Sequence, residues 1–184
     1  VCDVKCSYLL SKAVEDAGGQ ISLCPTGHSH LKKQVRELDS PLGGEFSGHI
    51  ILRDRWSNFD DGLYAAARLL ETLSENEKSC TEVFSNLPEN HSTPEYRLSL
   101  ANTTAAQSLL GSLIRDANFV DAKPCYIDGM RVDYTDGWGL MRASNTSSDL
   151  TFRFEAATAQ RLEAIKQPFR HLLKQAGIKA DLPF

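Results

Sequence analysis

The sequence predicts an α/β domain followed by an α+β domain. Strand-like and helical segments alternate through the first half, and "SNLPENHSTPE" (85–95) then interrupts them with Pro, polar residues and charge. Beyond residue 128, three strand-like segments follow one another without an intervening helix. A chain of 184 residues can hold two domains, each burying its own core. A hydrophobic content of 41% with 24% charged residues excludes dominant disorder. The net charge of −4 argues against a polyanion-binding surface, so nucleic acid is not an expected partner. No apolar run reaches membrane-spanning length and no secretory leader is recognisable, so a cytoplasmic chain without a membrane partner is expected. The five cysteines (2, 6, 24, 80 and 125) are odd in number and lack a C-x-x-C pair, which fits reduced thiols. Cys2 and Cys6 with His28 or His30 make a weak ligand set, and no metal site is expected within the chain. The opening "VCDVK" reads as the interior of a strand, as in a fragment whose beginning lies upstream.

A helix is expected over 7–17, with Leu10, Ala13, Val14 and Ala17 on one face and Gly18-Gly19 ending it. A strand follows at 20–24. "TGHSHLKKQVREL" then enters a helix that Thr26 or Ser29 can cap, with Leu31, Val35 and Leu38 inward. "NFDDGLYAAARLLETL" starts with acidic capping candidates and carries Leu63, Ala67, Leu70 and Leu73 at helical spacing. The boundary is placed in the polar stretch, giving domains 1–88 and 93–184. In the second domain "STPEYRLSLA" reads as a strand, and a helix over 104–117 turns Leu109, Leu110, Leu113 and Ile114 inward. "GMRVDY", "GLMR" and "LTFRF" read as antiparallel strands with "TDGW" as a turn. The last helix, 159–173, buries Leu162, Ile165, Phe169 and Leu172.

Two segments fit this scheme poorly. In "GGEFSGH" (43–49), extended backbone would project Glu45, Ser47 and His49 to one side, between glycines that permit close approach of a polar ligand. A hairpin turn with a solvated face is the other reading. In "RASNTSSDL", five of the seven residues from Ser144 to Leu150 offer hydroxyl or amide donors directly after Arg142. Such a loop can aim hydroxyls, N–H groups and a guanidinium at one phosphate; a plain polar surface loop is the alternative.

The two segments occur together and in this order, and each has a counterpart in a known family. "GEFSGH" resembles the sugar-binding loop of the α-D-phosphohexomutase superfamily, and "RASNT" its C-terminal phosphate-binding loop. "DVKCS", "TGHS", "FDDGLYAAARLLE", "DGMRVDY", "GWGLMRASNT" and "LTFRFEA" are similar to the bacterial phosphomannomutase/phosphoglucomutase branch. The resemblance runs through nearly the whole chain. It implies the third and fourth domains of a four-domain enzyme. The third, N-terminally truncated here, is a mixed sheet with helices on both faces. The fourth is a smaller antiparallel sheet with helices on one face, like the TATA-box-binding protein.

The implied activity is that of an isomerase, an intramolecular phosphotransferase of carbohydrate metabolism. It interconverts hexose 1-phosphate and 6-phosphate through a bisphosphorylated intermediate, with glucose 1,6-bisphosphate as activator. The resemblance places the phosphoserine and the Mg²⁺ loop in upstream domains 1 and 2, and no loop like either is found in this sequence. The fragment alone is therefore expected to be inactive. A non-catalytic sugar-phosphate-binding fragment or pseudoenzyme is the rival reading. Carried over by motif, Glu45, Ser47 and His49 read sugar hydroxyls. Arg142, Ser144, Asn145, Thr146 and Ser147 hold the phosphate not being transferred. Lys5 and His28 line the cleft as acid/base or charge-neutralising groups. The sequence departs from the family pattern at Phe46 for Met, at Pro25 for Lys, and at Ser147-Ser148-Asp149 in the phosphate loop. Asp149 is expected to point outward.

Overall fold

In the computed structural model, which describes residues 1–85, 87–178 and 184, the chain divides into two units, Val1–Glu89 and Asn90–Phe184. Residue 86, within the predicted linker, lies outside the described residues.

The first unit is built on four short strands, β1 (Cys2–Asp3), β2 (Leu23–Cys24), β3 (Leu42–Gly44) and β4 (Ile50–Leu52). They form a mixed sheet in the order β2-β1-β3-β4, with β1 parallel to β2 and β3, and β3 and β4 a hairpin. Parallel pairing needs crossovers, and α1 (Tyr8–Asp16) and α2 (His28–Glu37) lie on them. Ser7 caps α1 by accepting from Leu9 N–H. The expected cap on α2 is not made. Its N-cap is Gly27, without a side-chain bond; Thr26 stands one position earlier and donates its hydroxyl to Asp3. Leu31 and Val35 bury against Cys24 and Ile51. A Cβ on Gly43 would lie 2.4 Å from Val35 Cγ2, so α2 rests directly on β3. Leu38, expected inward, is 55% exposed, because the helix ends at Glu37 and Leu38 is already its C-cap.

Asp61 caps α3 (Gly62–Ser74) by accepting from the Leu63 and Tyr64 N–H groups, and α4 (Cys80–Ser85) follows. The apolar stripe of α3 is not its packed side. Tyr64 stacks on Trp56 at 4.3 Å and Arg68 pairs with Asp54, leaving Leu63 86% and Leu70 66% exposed.

The second unit is an antiparallel sheet of β5 (His91–Ser92), β6 (Tyr96–Ser99), β7 (Lys123–Cys125), β8 (Met130–Tyr134), β9 (Gly137–Ala143) and β10 (Asp149–Ala156). The order is β5-β10-β9-β8-β7, with β6 also on β10. Strands β5 and β7 were not expected; β5 lies inside the predicted linker. Helices α5 (Thr103–Asp116) and α6 (Ala159–Gln175) bury Leu113, Ile165, Phe169 and Leu172 against Leu150, Phe152 and Phe154. Each such side chain contributes about 1.5–3 kcal/mol. The alternate residues of β10, Thr151, Arg153 and Glu155, are buried as well. On that side the Trp138 ring has the Arg131 guanidinium at 4.3 Å and that of Arg153 at 5.6 Å. Among the described residues no helix is long and apolar enough to cross a membrane.

Candidate functional site

Residues 45–49 form the tip of the β3–β4 hairpin and not a continuous strand: Glu45 N–H donates to His49 O at 2.9 Å and Gly48 N–H to Glu45 O at 3.0 Å. Gly48 has φ +90°, where a side chain would be strained. The turn, and not the pleat, therefore brings the polar side chains together. Ser47 Oγ donates to Glu45 Oε2 at 2.7 Å, and Gly27 N–H donates to Glu45 Oε1 at 3.1 Å. Glu45 is thus held at both oxygens and only 9% exposed, and it ties the hairpin to the start of α2.

That tie brings in His28, whose ring lies 5.8 Å from that of His49, both residues being exposed. His49 Nδ1 is 2.6 Å from Asp60 Oδ2. Against an ionised carboxylate, which can only accept, Nδ1 is the donor of this contact. Lys5 Nζ stands over the Phe46 ring at 5.8 Å. One unit therefore gathers a carboxylate, a hydroxyl, two imidazoles and an ammonium, which together can bond sugar hydroxyls, offset anionic charge and move protons.

The second predicted cluster lies in the β9–β10 hairpin of the other unit. Arg142 is 5% exposed and donates through Nε to Asp128 Oδ2 at 2.9 Å. Its Nη2 is buried with no hydrogen-bond partner among the described residues. Gly129, with φ +80°, lies under it: a Cβ there would come within 2.6 Å of Arg142 Cβ. The Ser144 hydroxyl accepts from Thr146 N–H at 3.3 Å and Ser147 N–H at 3.2 Å, so these two amides turn into the loop. Asn145 and Thr146 are exposed, and the Ser147 hydroxyl is donated to Asp149 at 2.7 Å.

Asp149 does not point outward. It is 8% exposed at the base of the loop, where Ser99 Oγ also donates to it at 2.6 Å. The hydroxyls of Ser99 and Ser147 hold its carboxyl below the usual carboxylate range. A depressed folded-state pKa gives stability that is present above the unfolded value and is lost as pH falls through the folded one. Ser99→Ala is therefore expected to move acid unfolding to higher pH, read by far-ultraviolet circular dichroism. Coincident acid transitions for parent and variant would contradict this.

Asp3, Asp60, Asp128 and Gly129 were missed as supporting residues. The "DGMRVDY" and "FDDG" motifs contain three of them. Around Asp3 the thiols are shifted as well. Cys24 is pushed up to about 12 by burial and then by the Asp3 carboxylate. Cys6 is pushed far above its ordinary value by its bond with Cys2, by burial and by Asp3. Both act as neutral buried side chains.

Comparison with known proteins covers both clusters. The family model "Phosphoglucomutase/phosphomannomutase, alpha/beta/alpha domain III" matches residues 1–91, and "Phosphoglucomutase/phosphomannomutase, C-terminal domain" matches 100–172. The chain is 44% identical over 184 residues to a phosphomannomutase/phosphoglucomutase of Pseudomonas putida, covering 100% of this chain and 40% of that relative. It is 41% identical over 175 residues to a phosphoglucomutase of Neisseria meningitidis serogroup A, covering 95% of this chain and 38% of that one. A crystal structure of a phosphoglucomutase/phosphomannomutase family protein from Burkholderia thailandensis matches with a TM-score of 0.91 at 43% identity, over 100% of this chain and 38% of that chain. The chain thus spans about two fifths of the length of these relatives. With one domain model on each half and identity sustained from end to end, the chain belongs to the phosphoglucomutase/phosphomannomutase family, of which it spans domain III and the C-terminal domain.

Proposed function

We propose that the chain is the substrate-binding half of a phosphohexomutase that interconverts hexose 1-phosphate and hexose 6-phosphate, of glucose, mannose or both, through a bisphosphorylated intermediate. The observation that carries this reading is Glu45, fixed by Ser47 and Gly27 beside two imidazoles. A carboxylate with further acceptor capacity and a neighbouring hydroxyl suit adjacent sugar hydroxyls. A bisphosphorylated intermediate must turn over between two transfers, and a reader of hydroxyl pairs works in either orientation. Arg142 and the 144–147 loop read the phosphate that is not being transferred, and the buried Arg142 Nη2 is a donor suited to one of its oxygens. Lys5 and His28 neutralise substrate charge or assist proton movement.

The phosphoryl donor and Mg²⁺ are assigned to upstream domains. The chain alone is accordingly expected to bind glucose 1-phosphate without turning it over, even with Mg²⁺ and glucose 1,6-bisphosphate supplied. A coupled glucose 6-phosphate assay, with calorimetric titration of glucose 1-phosphate, tests both parts. Turnover that tracks the chain through purification would sink the assignment of chemistry upstream, and absence of binding would sink the substrate-binding role.

A further inference from the structure

We propose that Asp3 is a positioning residue that registers the three ligand-facing segments of the first unit with one another. The side chain is fully buried at the end of β1, and its two oxygens accept from three different segments. Oδ1 takes the Cys6 thiol at 3.1 Å, from the turn that carries Lys5. Oδ1 also takes the Phe46 N–H at 3.1 Å, from the hairpin tip between Glu45 and Ser47. Oδ2 takes the Thr26 hydroxyl at 3.2 Å, two residues before His28. Donors 3, 23 and 43 positions away in sequence thus converge on one carboxylate. Every residue assigned to ligand in this unit lies within three positions of one of them: Lys5, His28, Glu45, Ser47 and His49.

Two oxygens with two lone pairs each leave room for all three donors on the one side chain. Thr26 donates its hydroxyl to Asp3 and Gly27 donates its N–H to Glu45 at 3.1 Å, so the start of α2 is tied both to the hub and to the hairpin tip. The geometry stands without any ligand; that the registered segments bind hexose phosphate rests on the function proposed above.

Amide hydrogen exchange of the 184-residue chain tests it. Asp3→Ala removes both acceptor oxygens, so none of the three donors keeps its partner. The Phe46 and Gly27 amides are expected to exchange at least about tenfold faster. Control amides are Arg53, which donates to Pro41 O at the base of the same hairpin, and Ser40, which donates to Val35 O; both are expected to change less than about twofold. Thr26→Val removes the hydroxyl that donates to Oδ2 and is expected to accelerate Gly27 but not Phe46, which keeps a readout if Asp3→Ala fails to fold. Equal acceleration at the control amides would make Asp3 a general stabiliser, and unchanged exchange at Phe46 and Gly27 would show that the segments hold without it. Either result overturns the proposal. Exchange needs no ligand, so a chain that responds as expected yet does not bind glucose 1-phosphate would count against the proposed function and leave Asp3 its role.

Discussion

Gly129→Ala is expected to destabilise the second unit by about 3 kcal/mol, from two independent costs. Gly129 has φ +80°, a conformation that costs an alanine roughly 1–2 kcal/mol. Its added Cβ would also lie 2.4 Å from Met141 O, 2.6 Å from Arg142 Cβ and 2.7 Å from Arg142 Cα, all on β9. Two of these are backbone atoms held in the β8–β9 ladder, which pairs Met130 with Met141, so the strand cannot yield without losing its register. Overpacking of this kind costs about 1–3 kcal/mol. Urea unfolding followed by Trp138 fluorescence in a Trp56→Phe background reports this unit alone, because Trp138 is fully buried there. Gly111→Ala in α5 is the control. Its Cβ would meet only Arg115 Nη1 at 3.7 Å, and mid-helix alanine is better than glycine by about 1 kcal/mol, so a small gain is expected. A loss below about 0.5 kcal/mol for Gly129→Ala would contradict the argument. Since Gly129 lies against Arg142, the same substitution displaces the candidate phosphate reader, and "DG" ahead of "MRVDY" links fold to site.

Local periodicity made the second unit legible. Leu150, Phe152 and Phe154 alternate into the core because a strand repeats every two residues, and α6 buries Ile165, Phe169 and Leu172 on one face. What periodicity cannot say is which face is covered. Alternation implies a solvated side to β10, yet Thr151, Arg153 and Glu155 are buried, on the side where Trp138 stands between two arginines. In α3 the Leu63–Leu70 stripe follows the expected spacing, but the helix packs through Tyr64 and Arg68.

The candidate site shows the same division. "GEFSGH" and "RASNT" stand out because their polarity breaks a strand pattern. Their supports do not stand out, since Asp3 with Phe46, His49 with Asp60 and Arg142 with Asp128 are pairs that only the folded chain brings together. Thr26 is the clearest case. Cap preference weighs a residue against its own helix, and it names no buried carboxylate 23 positions away as the partner of the Thr26 hydroxyl, while Gly27 takes the cap position.

If the two loops read different parts of the ligand, substitutions in them should separate sugar from phosphate. Arg142→Ala removes a charge-assisted donor whose Nη2 is buried, and it is expected to weaken inorganic phosphate and glucose 1-phosphate alike. Charged hydrogen bonds of this kind are worth about 1.5–3 kcal/mol, or roughly 10- to 150-fold in Kd. Arg142→Lys keeps the charge but not the fork that reaches both Asp128 and a second acceptor, so it should recover only part of the loss. Glu45→Ala acts on the other term: it removes the acceptor offered to sugar hydroxyls and leaves Arg142 untouched. Glucose 1-phosphate should weaken about tenfold, the cost of one charged hydrogen bond, while inorganic phosphate is unchanged. Glu45 also accepts from Gly27 N–H and the Ser47 hydroxyl, so loss of binding could come from a loosened hairpin. Glu45→Gln separates the two effects, because its carbonyl oxygen can still take Gly27 N–H and hold the hairpin while the negative charge is gone. Calorimetric titration of each variant with both ligands decides the matter. Equal weakening of inorganic phosphate by Glu45→Ala and Arg142→Ala would show that the loops do not divide the ligand between them, and sugar recognition would have to be sought elsewhere in the first unit, with His28 and His49 the next side chains to replace.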